Sequence, residues 1–226
     1  MKSLTSSMSP KSANLPWLVS LVAFDIVVIL AFVFPNIIAA VSLTQLTAAR
    51  ATMALLLPVA VLLPSGLLPH GIKASLVYWK LTDALPAHQA FMKHAPHDAC
   101  IDMAALQKNV GDFPTVPAEQ NRFWFKLYKA VETDPAIVEA QKKYLLYRDM
   151  AAILFLLLIV APACLYLNDS ASFAVSTVAG ILALQYLIAA LSARHSGIRF
   201  VTNVLAAHST IHTPSSRKRK SASAKD

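Results

Sequence analysis

Six residues between positions 88 and 102, namely His88, His94, His97, Asp98, Cys100 and Asp102, gather the imidazole, thiolate and carboxylate groups that bind zinc. Their spacing matches no recognised four-ligand rule: His94 and His97 flank Pro96, and no second pair of cysteines or histidines completes a set. A solvated, proline-bent loop is therefore expected there, with no metal and no cofactor. The second candidate is a single carboxylate. Asp25 lies near the middle of an apolar run, where it costs about 2.5–3.5 kcal/mol on insertion scales and so requires a partner or a proton. Counted inward from the same side, Gln185 and Tyr186 of a later apolar run fall at nearly the same depth, which predicts an Asp25–Gln185 hydrogen bond with Tyr186 beside it. A lone carboxylate makes a poor relay, so helix packing is its expected first role. No phosphate-cradling glycine loop, HExxH helix, GxSxG elbow or CxxC pair occurs. No catalytic residue is assigned, and a non-enzymatic protein is expected.

The elements that would position these groups are apolar. Four runs, 17–34, 51–68, 150–167 and 173–191, hold one ionisable carboxylate between them, Asp25. At about 1.5 Å rise per residue each can cross a hydrocarbon layer about 30 Å thick. The chain is 56% hydrophobic and only 14% charged, against roughly 25% in soluble domains. The expected class is an all-α integral membrane protein with four transmembrane helices in two hairpins and a helical cytosolic insert. The two cysteines, Cys100 and Cys164, suggest no disulfide framework and fit a reducing compartment.

Lysine and arginine set the orientation. The leader carries Lys2 and Lys11, the first short loop only Arg50, and every other basic residue lies in the central block or the tail. The positive-inside rule then puts leader, block and tail in the cytoplasm, with both termini inside a bacterial inner membrane. The expected organisation is a cytosolic leader over 1–16, a first hairpin over 17–68, a cytosolic helical domain over 69–149 and a second hairpin over 150–191. An amphipathic cytosolic helix over 192–212 and a basic disordered tail over 213–226 complete it. The leader runs on without a small-residue cleavage site, so the first span is expected to stay.

Within the block, prolines at 86, 96, 114, 117 and 135 separate helices. One is expected over 72–85, leaving the bilayer along the interface, and a short one over 87–94. A third fits 103–110, with Asp102 as N-cap and Gly111 past its end. Pro117 opens a helix whose aromatic run, Phe123, Trp124, Phe125 and Tyr128, forms the core. Asp134 and Pro135 start a single rod of about 30 residues that runs into the third span and could carry motion.

Partner surfaces follow from what remains. Ser172, Ser176 and Gly180 repeat every four residues and allow a second helix to approach closely, in this bundle or in another copy. Trp124, Tyr128, Arg194 and Arg199 are candidate contacts for a cytosolic ligand or protein partner. The formal charge of +8 is better matched to the anionic inner leaflet than to nucleic acid: Arg217, Lys218, Arg219 and Lys220 sit in a serine-rich tail, and a four-residue basic run is a weak nucleic-acid motif. Pro58 and Pro64 in the second run and Pro162 in the third are expected to kink their helices.

The segments ALPAHQAF from position 84, QNRFWFKLYK from 120, YLLYRD from 144 and RFVTNVL from 199 look like signature blocks of an uncharacterised bacterial membrane-protein group. The order of two spans, a helical insert and two more spans resembles the small four-span effectors of bacterial antiphage systems. That resemblance implies oligomerisation and membrane disruption triggered through the cytosolic part, with no catalytic residues to carry over.

Overall fold

The computed structural model describes residues 10–33, 68–167 and 172–210. The second apolar run with Pro58 and Pro64, Arg50, and the basic run 217–220 lie outside the described residues. All regular structure among the described residues is helical: α1 (Pro10–Val33), α2 (His70–Tyr78), α3 (Met103–Val110), α4 (Pro117–Val131), α5 (Pro135–Leu167) and α6 (Ser172–Thr210). Three short turns, a 3₁₀ turn at Pro86–Gln89, a π turn at Ala90–His94 and a 3₁₀ turn at Ala95–His97, stand between α2 and α3. Two helices, α5 with 33 residues and α6 with 39, are long and apolar enough to cross a membrane.

Helix starts follow local chemistry. The Asp102 carboxylate accepts from the amides of Ala104 and Ala105 at 2.9 and 3.0 Å, and Gly111 just beyond α3 takes φ 92°, a left-handed value that suits glycine. Pro117 occupies the first turn of α4, where no amide hydrogen is needed. Asp134 accepts from the Ala136 amide at 2.8 Å and so opens α5.

Three elements differ from the sequence expectation. α2 stops at Tyr78 instead of continuing to residue 85: Trp79 takes a left-handed φ of 53° and its amide closes on the Ser75 carbonyl. The short helix expected over 87–94 is instead part of a run of tight and wide turns over 86–97, where the Gln120 side chain takes the amides of Phe91 and Met92 out of the helical register. Finally, 192–210 is no separate amphipathic helix but the unbroken continuation of α6. Within 192–210 Gly197 is the only glycine, and a single glycine weakens a helix without ending it.

The chain divides into two compact units. The first comprises Met1–Ala84 and Val138–Gly197. Its core joins Leu18 and Val22 of α1, Val77 of α2, Ile153, Leu154 and Leu157 of α5, and Val178 and Leu182 of α6. Ala151, Ala190 and Ala193 are fully buried, and such small residues let helix backbones approach closely. The outer faces of the same helices are also apolar: Phe24, Val27, Ile159, Leu184 and Ile188 are all exposed.

Gly197 shows how tight the first unit is. A Cβ there would collide with the Tyr78 hydroxyl and come within 2.9–3.0 Å of the Tyr144 ring. Burial pushes the Tyr78 hydroxyl far above the ordinary phenol range, with Tyr144 adding to the effect, so this packed phenol stays neutral. Gly197→Ala is expected to destabilise the protein by about 1–2 kcal/mol, overpacking outweighing the gain in helix propensity. Adding Tyr78→Phe, which removes the colliding oxygen, should recover part of the loss in a thermal-unfolding double-mutant cycle.

The second unit comprises Leu85–Ile137 and Ile198–Asp226. Phe91 stacks on Phe113 with ring centres 5.2 Å apart and meets Phe123 at 5.4 Å. The buried Gln120 amide ties this end together, donating to the Thr115 carbonyl at 3.0 Å while accepting from the Phe91 and Met92 amides. At the other end His208 is hydrogen-bonded to the Leu127 carbonyl at 2.9 Å, and Asn109 donates to the His208 carbonyl at 2.9 Å.

Candidate functional site

Three polar constellations stand out, two in the first unit and one in the second. The first is the interhelical pair Asp25–Gln185. Asp25, about two-thirds of the way along α1, is 1% exposed, and its carboxyl group is hydrogen-bonded to the Gln185 side chain of α6. Asp25 Oδ2 and Gln185 Oε1 are buried without a hydrogen-bond partner. Tyr186 does not join them. One residue further along α6 is a rotation of about 100°, which turns Tyr186 towards α2. There its hydroxyl donates to the Leu76 carbonyl at 2.8 Å and accepts from the Trp79 indole at 3.1 Å.

Arg194 serves the same helix end. Its Nε donates to the Val77 carbonyl at 2.6 Å, and its guanidinium lies 3.6 Å from the centre of the Trp79 ring. The last carbonyls of a helix lack internal donors and carry its negative dipole end, so a hydroxyl and a guanidinium suit them. Arg194 is thus engaged in closing α2 through its Nε and the face of its guanidinium.

The second constellation was not singled out from the sequence. Asp149 Oδ1 receives Lys73 Nζ at 3.0 Å, Arg148 Nη2 at 2.8 Å and Arg148 Nε at 3.1 Å. Arg148 Nη1 is 3.2 Å from His70 Nδ1, and its guanidinium lies 5.9 Å from the centre of the Tyr144 ring. Lys73 is 7% exposed and Arg148 4%, values rare for cations that are not paired. The adjacent charges Arg148 and Asp149 at the head of an uncharged run were the available signal; the partner Lys73, 76 residues away, left none.

In the second unit Trp124 and Tyr128 are buried, at 7% and 9% exposure, which corrects their assignment as partner contacts. Their rings stack with centres 5.7 Å apart, Phe200 meets both edge-on at 5.3 and 5.5 Å, and the Trp124 indole donates to the Val201 carbonyl at 3.2 Å. These aromatics are the unit's core because α4 and the end of α6 each turn an apolar face inward. Arg199 is exposed. Its acidic neighbour is Asp98, whose carboxyl is held below the usual carboxylate range first by the Cys100 amide at 3.0 Å, then by the Thr202 hydroxyl, with a smaller contribution from Arg199.

The six metal-type residues form no ligand cluster among the described residues. His97 Nδ1 lies 2.7 Å from the Lys93 carbonyl, His88 Nδ1 lies 3.2 Å from the Leu85 carbonyl, and Asp98 and Asp102 accept backbone amides. Ser172, Ser176 and Gly180 lie exposed along α6, and nothing stands within 4 Å of a Cβ placed on Gly180. A groove of about 440 Å³ opens in the second unit, with Phe113, Pro114 and Phe123 beside Asp112, Glu119, Arg122 and Lys126.

What fold and sites define together, among the described residues, is an all-helical protein with two helices able to span a membrane and polar contacts that mainly join helix to helix. No family model, no curated relative and no solved structure matches the chain.

Proposed function

We propose that the chain is a non-enzymatic inner-membrane protein of four membrane helices, both termini cytoplasmic, whose cytosolic helical domain receives a signal or partner and couples it to the membrane bundle. Its concrete form is a membrane-permeabilising defence effector that assembles with copies of itself. The observation that carries the membrane placement is the double-sided apolarity of the first unit. Phe24, Val27, Ile159, Leu184 and Ile188 face outward, uncharged, from helices whose inner faces are equally apolar. A helix apolar all round suits lipid, and so large an exposed apolar surface is out of place in water. Support for coupling comes from the chain itself, since α5 and α6 each contribute residues to both units without a break. The small-residue face of α6 offers room for self-association.

Expression of the protein in a bacterium carrying a potential-sensitive dye should collapse the membrane potential. An intact potential, with the protein in the membrane fraction, would remove the effector reading. It would favour the second one, an adaptor that recruits a cytosolic protein, for which the groove beside Phe113 and Phe123, with both charge signs on its walls, is the available seat. A third reading, a small-molecule channel or transporter, predicts loss of potential only with its solute present.

A further inference from the structure

Gln185 offers one donor group and one acceptor, and its NH₂ group serves the hydrogen bond to Asp25. Two acceptor oxygens are left over, Asp25 Oδ2 and Gln185 Oε1, both buried and both lacking a donor. Val22 and Leu182, one turn earlier on α1 and α6, are core residues, so the pair is set in an apolar contact. Among the described residues no lysine or arginine forms an ion pair with Asp25. A carboxylate left so would be a buried charge without a counter-ion, which folded proteins avoid. A metal cation would satisfy it only with several more oxygens than these two, typically six or more for hard cations. A proton needs no more than two.

From this donor count we infer that Asp25 and Gln185 form a proton-binding site. Asp25 is a neutral carboxylic acid whose Oδ2–H supplies the donor that Gln185 Oε1 lacks. Acid and amide then close a ring of two hydrogen bonds between α1 and α6, and the proton is a structural component of that contact. The site depends on the α1–α6 contact alone and not on the effector function, so the two can fail separately.

Infrared spectroscopy of the purified full-length protein at neutral pH tests it. The chain has 12 aspartates and glutamates, and ionised carboxylates absorb well away from a protonated acid carbonyl. The wild type should show an acid carbonyl band that disappears in Asp25→Asn, a neutral near-isostere expected to keep the fold by amide pairing. In Gln185→Leu the band should move to higher frequency, as a carbonyl relieved of its hydrogen bond does. Carbon-13 labelling of aspartate in the unsubstituted protein shifts the same band and covers the case in which a variant fails to fold. Absence of the band from the wild type, as for a carboxylate held by water or an ion, would overturn the site. So would a band insensitive to aspartate labelling, or one that Gln185→Leu leaves in place.

Discussion

Replacing Asp149 by alanine is expected to cost about 3–5 kcal/mol, because it removes the one carboxylate that, among the described residues, contacts these two buried cations. Lys73 and Arg148 converge on one oxygen, at 3.0 and 2.8 Å, and both side chains are largely buried. Truncation of Asp149 strands both charges, and the penalty is their desolvation rather than the strength of the lost attraction. For a chain of this size the loss corresponds to a fall in unfolding midpoint of about 10 °C, read by circular dichroism in detergent. Lys73→Met combined with Asp149→Leu should lose less than Asp149→Ala alone, since one cation leaves with the anion and apolar groups fill the space. A midpoint unchanged in Asp149→Ala would mean that the cluster is hydrated and that the buried arrangement is incorrect.

Trp124→Ala should be comparably damaging, at about 3–5 kcal/mol, through a different mechanism. The substitution empties the centre of the second unit, where the indole stacks on Tyr128 and receives the edge of Phe200. Trp124→Phe keeps an aromatic ring there and loses chiefly the indole bond to Val201, which is expected to cost about 1 kcal/mol. Hydrogen exchange separates this role from a partner-binding one. In Trp124→Ala, amides of α4 and of residues 198–210 should exchange faster while those of 150–167 keep their protection. Unchanged protection in α4 would return Trp124 to the list of partner contacts.

Much of the local structure is written in nearby residues. Asp102, Pro117 and the Asp134–Pro135 step act within one helical turn, and each of the three helices begins where they place it. The charge-free runs likewise carry their own meaning, since apolar length is a property of the segment alone. Even the Asp25–Gln185 juxtaposition follows from counting depth into two runs, because helical rise converts residue number into distance.

Contacts between distant residues decided the rest. The end of α2 depends on Tyr186 and Arg194, more than a hundred residues later, which stabilise carbonyls that a helix extended to residue 85 would have used itself. Residues 90–94 leave the α-helical pattern for the sake of a glutamine almost thirty residues away. Trp124 and Tyr128 carry the same composition whether they face a partner or Phe200; the direction in which α4 turns them is a property of the packed unit. Caps, prolines and apolar periodicity report on a neighbourhood of a few residues. The sharing of Asp149 by Lys73 and Arg148 has no such local trace, and it exists only once the helices have come together.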